Sequence, residues 1–156
     1  MVDYTIQPDR GEVAITLSGK IYPMRPSYEA QVAVEERTGC SLEELWLRAL
    51  RFSQIMFAAV QDSSIPAVPL SGGVGLKLSE TAAIVTEFVR AAGLERNDAQ
   101  LRAWSVEKTG AMLAQEARGA YYGAVVQILN SALNGGRRDP KDPPPPAASE
   151  STPAAN

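Results

Sequence analysis

The stretch from Gly119 to Gly136 constrains the fold more than any other, because it carries no charged side chain at all. At 100° per residue, Tyr121, Val125, Ile128 and Ala132 share one sector of a helix, and Tyr122, Val126, Leu129 and Leu133 share the next. The apolar arc spans about 200°, roughly twice what a helix resting on one surface requires. The opposite face holds Gly119, Gly123, Gln127, Asn130 and Ser131, which are small or neutral. Such a helix must be covered on several sides. Two coverings are open: the helix is the centre of a bundle, or one of its sectors meets another protein. In the second case Tyr121, Tyr122, Val125 and Ile128 are the partner-binding candidates, since tyrosine joins large apolar area to a polar tip.

The rest of the chain supplies material for a bundle. Val13, Ile15 and Leu17 alternate with polar neighbours, Gly19-Lys20 reads as a tight turn, and Ile21 to Arg25 reads as a returning strand. Pro23 confines that strand to an edge. Helical signals follow. Ser27 N-caps a helix that Gly39 ends. Ser41-Leu42-Glu43-Glu44 is a capping box, followed by a core stripe at Leu42, Leu45, Trp46, Ala49 and Leu50. A separate short helix is expected from about Ser53 to Gln61, showing Ile55, Met56, Ala59 and Val60. Asp62 to Lys77, with two prolines and three glycines, reads as a loop. Ser79 caps the next helix, with a stripe at Thr81, Val85, Phe88, Val89 and Ala92 and a stop at Gly93. A second capping box, Asn97-Asp98-Ala99-Gln100, opens helical sequence to Asn134 with a break near Gly110. The fold class expected is α+β but mostly α: an N-terminal antiparallel β-hairpin, then a helical bundle of four to six helices. Residues 1–136 form that domain. Residues 137–156 hold Pro143 to Pro146 and no large apolar side chain, so a disordered Pro/Ala-rich tail is expected there.

Composition narrows the chemistry. There is no histidine in the 156 residues, which removes every mechanism and metal set that needs one. The single cysteine, Cys40, forbids an intrachain disulfide and a Cys-rich zinc site. Cys40 stands between a helix stop and a helix cap, but without a base to activate it a nucleophilic role is not expected. Ser71-Gly72-Gly73-Val74-Gly75-Leu76-Lys77-Leu78-Ser79 looks like a phosphate loop at first sight. It fails the spacing, because Leu76 separates Gly75 from Lys77 and Leu78 separates Lys77 from Ser79. Glu35-Glu36 and Glu43-Glu44 read as a solvated face and a favourable first helical turn. No catalytic, cofactor-binding or metal-binding residues are expected, and no enzymatic activity. The net charge of −3 and the absence of a basic stripe argue against nucleic acid as a partner. No apolar run is long enough to cross a membrane and no secretory signal opens the chain, so a cytoplasmic protein is expected.

One family fits the order of these elements. Arg10-Gly11-Glu12-Val13-Ala14-Ile15-Thr16-Leu17-Ser18-Gly19 resembles the first strand and turn of small tail proteins from phage-like gene transfer agents. Glu35-Glu36-Arg37-Thr38-Gly39 resembles the end of their next helix, Ser41-Leu42-Glu43-Glu44-Leu45 the start of the one after, and Ala132-Leu133-Asn134-Gly135-Gly136 the end of their last. A Pro/Ala-rich tail is also common among them. The resemblance covers about residues 10–136 and departs in the loop from Ser63 to Lys77 and in the helical length from Arg96 to Gly110. The family is similar to phage tail assembly chaperones, and a tail-tube role has also been attached to it. The resemblance implies a chaperone that binds the tape-measure protein, or another tail protein, during virion morphogenesis, with no catalytic residues to carry over. Self-association is compatible with it. The alternatives are a structural tail component such as a tube subunit and a small helical regulatory binding protein.

Overall fold

Alternation at Val13, Ile15 and Leu17 produces the expected hairpin in the computed structural model, which describes residues 3–61 and 75–135. After a single 3-10 turn at Pro8–Arg10, strand β1 spans Val13–Leu17 and pairs antiparallel with β2, Lys20–Met24. The connection is Ser18-Gly19 rather than Gly19-Lys20. Both residues have positive φ, 50° and 73°, which is the geometry a two-residue turn needs to follow the twist of its strands. Leu17 faces Lys20 across this turn as the hydrogen-bonded pair, so the alternation gives Ile15–Tyr22 and Val13–Met24 the next ladder bonds. Pro23, opposite Ala14, then falls at a non-hydrogen-bonded position, and the N–H it lacks is one the ladder does not use.

The local caps form where the sequence indicates. Ser27 Oγ accepts from Ala30 N at 3.1 Å to begin α1, Tyr28–Thr38, and Gly39 ends it at φ 69°. Ser41 Oγ accepts from Glu44 N at 3.2 Å, and Glu35 reaches across to accept Leu42 N at 3.0 Å. Helix α2 then runs unbroken through Leu42–Gln61. The separate helix expected from Ser53 is its continuation, because Leu42, Leu45, Ala49 and Phe52 keep one buried seam through the junction. Trp46 and Leu50 lie beside that seam and are only half-buried.

Helix α3, Leu78–Glu95, is capped two residues before Ser79: Lys77 is the N-cap, and Glu80 accepts its backbone N–H at 2.7 Å. Gly93 does not stop it. A Cβ at Gly93 would lie 2.6 Å from Leu101 Cβ and 2.7 Å from Arg102 N, so the glycine lets the next helix cross closely. That helix, α4, is one turn, Ala99–Arg102, capped by Asp98 rather than Asn97. Helix α5, Val106–Gln115, contains Gly110 without a break. The breaks come at Ala103 to Ser105 and at Glu116-Ala117. Helix α6 is Arg118–Leu133.

The hairpin and six helices fill the upper end of the expected range, but the centre of the bundle is α3, not α6. Every residue from Glu80 to Val89 is buried, and α3 packs against α1, α4, α5 and β2. Helix α6 packs chiefly on α2 and β1. The hairpin therefore bridges two groups, β2 resting on α3 and β1 on α6. The tail expected to be disordered, residues 137–156, and most of the loop expected before α3, residues 62–74, lie outside the described residues.

Candidate functional site

The four residues singled out on α6 are core residues. Tyr121, Tyr122, Val125 and Ile128 are exposed by 2%, 3%, 0% and 0%. The sector of Tyr121, Val125, Ile128 and Ala132 is buried throughout, whereas in the next sector Tyr122 and Leu129 are buried, Val126 is half-buried and Leu133 is exposed. The four candidates are not an open docking surface, because the chain's own elements already cover them. Tyr122 has a further task. Its ring lies 4.3 Å from that of Phe52, and its buried hydroxyl accepts Leu76 N at 2.6 Å. Burial raises the pKa of this phenol, while the Leu76 amide opposes the shift.

That bond belongs to a clamp that sequence reasoning missed. Arg48 Nε donates to Gly75 O at 3.1 Å, Tyr122 accepts from Leu76 N, and Glu80 accepts from Lys77 N at 2.7 Å. Three helices thus hold three consecutive backbone groups. Gly75 sits at φ 87°, and a Cβ there would come within 3.1 Å of the Phe52 ring and the Tyr122 hydroxyl. Arg48 also grips Glu80 with both guanidinium nitrogens, at 3.1 and 2.7 Å. The Leu76 and Lys77 amides just ahead of α3 are therefore engaged within the chain. The only local signal was Gly75 itself, since Arg48 and Glu80 are 32 residues apart.

Other buried charge is paired in the same way. Glu12 accepts from Arg96 at 2.6 Å and from Gln7 N at 2.8 Å, with Arg25 at 3.9 Å. Arg37 meets Glu87 at 2.7 Å. Thr86 and Thr109 share a hydrogen bond at 2.7 Å, and Thr109 also accepts from the Trp104 indole at 2.6 Å. Burial, then Glu44 and Glu80, push the Cys40 thiol above its ordinary pKa, against the direction a nucleophile needs. Glu43 and Glu44 are exposed, and Glu35 serves the start of α2. Among the described residues no three His, Cys, Asp or Glu side chains group to hold a metal, and no helix is long and apolar enough to cross a membrane. A groove of about 500 Å³ runs beside the hairpin turn, between Tyr4, Lys20, Ile21, Tyr22 and Gln100.

What α6 does not expose, α2 does. Phe57 is 67% exposed, Leu47 46% and Met56 37%, with Leu50 and Trp46 half-buried between them. On the helical wheel Trp46, Phe57, Leu50 and Leu47 fall within about 100° of one another. The outer face of α6 continues the uncharged surface with Gly119, Gly123, Gln127, Asn130 and the 37%-exposed Leu133. No family model, curated protein or solved structure matches this chain.

Proposed function

We propose that the protein is a tail assembly chaperone of a phage or gene transfer agent, which holds an apolar helical segment of the tape-measure protein during tail morphogenesis. The observation that carries this reading is the outer arc of α2. Leu47, Leu50 and Phe57 present apolar area on a helix whose inner seam already anchors it to the bundle. Such an arc takes an amphipathic helix in the manner of helix-in-groove recognition. The order of elements behind the resemblance supports it too: a hairpin, a helix closed by Gly39, a second helix opened by Ser41 and a last helix ending before Gly135. A role as a tube subunit has less support, since the sheet among the described residues has two strands and ring-forming tubes are built from larger sheets.

The test is co-expression with the tape-measure protein of the same phage or gene transfer agent. The tape-measure chain should remain soluble and co-elute with the wild-type protein, and Phe57→Asp with Leu47→Asp should abolish both effects while the circular dichroism spectrum stays helical. A tape-measure chain whose solubility is the same with and without this protein overturns the reading.

A further inference from the structure

We infer that α2 pairs antiparallel with α2 of a second copy, through a seam formed by Trp46, Leu50, Ser53 and Phe57. The spacing of these residues is four, three, four, the heptad pattern of a helix that packs against another helix. The inner seam of α2, at Leu42, Leu45, Ala49 and Phe52, has the same rhythm and is already used by the bundle. So α2 carries two helix-packing seams and its own chain covers one.

The second copy is singled out by self-complementarity. In an antiparallel pair with its twofold axis between Arg51 and Phe52, Leu50 of one protomer meets Ser53 of the other, a large side chain over a small one. Trp46 meets Phe57, two aromatic rings of the kind that anchor interfaces. Because the pairing is isologous, each contact occurs twice. The flanking positions fit as well: Leu47 and Gln54 lie on the solvent side, Ala49 and Met56 on the inner side, and none of the eight is charged. Arg48 is engaged with Glu80 and Gly75, and Arg51 points away from the seam. The antiparallel sense is set by charge. A parallel pair would bring the acidic first turns, Glu43-Glu44, side by side, whereas the antiparallel register holds them about 24 Å apart along the axis. The indole N–H of Trp46 is buried and finds no acceptor among the described residues. Three turns of one helix face fall short of the roughly 1,200 Å² that stable specific interfaces bury, so the dimer is weak and reversible. The seam shares Leu50 and Phe57 with the arc proposed above for the tape-measure helix, so pairing and that complex compete for one face, and sedimentation of the isolated chain tests the pairing alone.

Sedimentation velocity of the full chain, over a concentration series up to about 1 mM, should show a monomer–dimer equilibrium. Phe57→Asp should weaken it at least tenfold, and Leu47→Lys should weaken it less. Register is read by cross-linking in a Cys40→Ser background. An equimolar mixture of Leu50→Cys and Ser53→Cys chains should form the mixed disulfide faster than either chain alone forms its own. A protein that stays monomeric throughout, a dimer that Phe57→Asp leaves intact, or like-with-like cross-linking would each overturn the inference. The first of these outcomes would leave the arc to a different chain.

Discussion

Helix α3 carries Glu80, Thr81, Thr86 and Glu87 and hides all four, whereas the outer arc of α2 carries Leu47 and Phe57 and leaves both in water. The two regions differ in partners rather than in polarity. Three of these four α3 groups meet a group brought from elsewhere, Arg48 from α2 for Glu80, Arg37 from α1 for Glu87 and Thr109 from α5 for Thr86, while Thr81 donates to the Lys77 carbonyl at its own helix start. A buried charge paired and hydrogen-bonded in this way is tolerated, and one stripped of its partner is not. The apolar groups on the arc have no such counterpart among the described residues. Burial in this protein follows the availability of a counterpart, so paired polar groups are carried into the centre on α3 while an apolar face of α2 sits outside.

The contrast breaks most severely at Arg48. Arg48→Met should leave Glu80 buried with a single amide donor and cost about 3–5 kcal/mol. The double variant with Glu80→Met should recover most of that loss, as a urea denaturation cycle would show. Equal losses in the single and double variants would mean that the pair holds α3 by something other than compensated charge. Tyr122→Phe is expected to cost about 1–2 kcal/mol by leaving the Leu76 amide without its acceptor. Thermal melts should show this as a drop of several degrees, and a neutral result would mean water replaces the hydroxyl.

A smaller effect sharpens the comparison at the far end of α3, where Asp98 caps α4 and accepts the Tyr4 hydroxyl at 3.1 Å. The Leu101 amide, helped by Tyr4, the Gln100 amide and Arg96, holds its pKa below the usual carboxylate range, although burial opposes this. A depressed folded pKa means the stabilisation is complete above the unfolded value and fades as pH falls through that value towards the folded one. Asp98→Asn should therefore lower the denaturation midpoint at neutral pH, by about 1 kcal/mol or less, and make stability less sensitive to acid. A variant whose acid sensitivity matches wild type would place that titration elsewhere. The smallest effect belongs to the arc. Phe57→Ser and Leu47→Asn should change monomer stability by less than about 0.5 kcal/mol. A loss of 2 kcal/mol at either position would show that the arc is intramolecular core after all, and the contrast would collapse.

These differences also mark what could be read from the residues alone. Elements set by local chemistry were legible: the alternation of β1, the Ser27 and Ser41 caps, and the Gly39 stop all act within four residues of themselves. The wide arc of α6 was legible as an arc but not as to its covering, because β1 and α2 reach it from more than fifty residues away in sequence. Helix α3 was legible as a stripe at Thr81, Val85, Phe88, Val89 and Ala92, but not as buried all round, because Glu80 and Glu87 are buried only with Arg48 and Arg37, both on earlier helices. Gly93 was read as a stop because glycine ends helices more often than it admits a crossing one. The partner candidates on α6 failed for the same reason as the centrality of α3 was missed, since width of apolar arc measures how much must be covered and says nothing of by whom.

The clamp on Gly75, Leu76 and Lys77 has an architectural consequence. By fixing three successive backbone groups immediately ahead of α3, it acts as a mooring, so the strain or slack of the preceding connection ends there and is not passed into the bundle. Because loop closure costs only about 0.6 kcal/mol for each doubling of length, lengthening the link from Gln61 should leave the register of α3 untouched. The molecule thus has a built-in grafting point, a position where foreign sequence can be carried between two helices while the central helix keeps its berth.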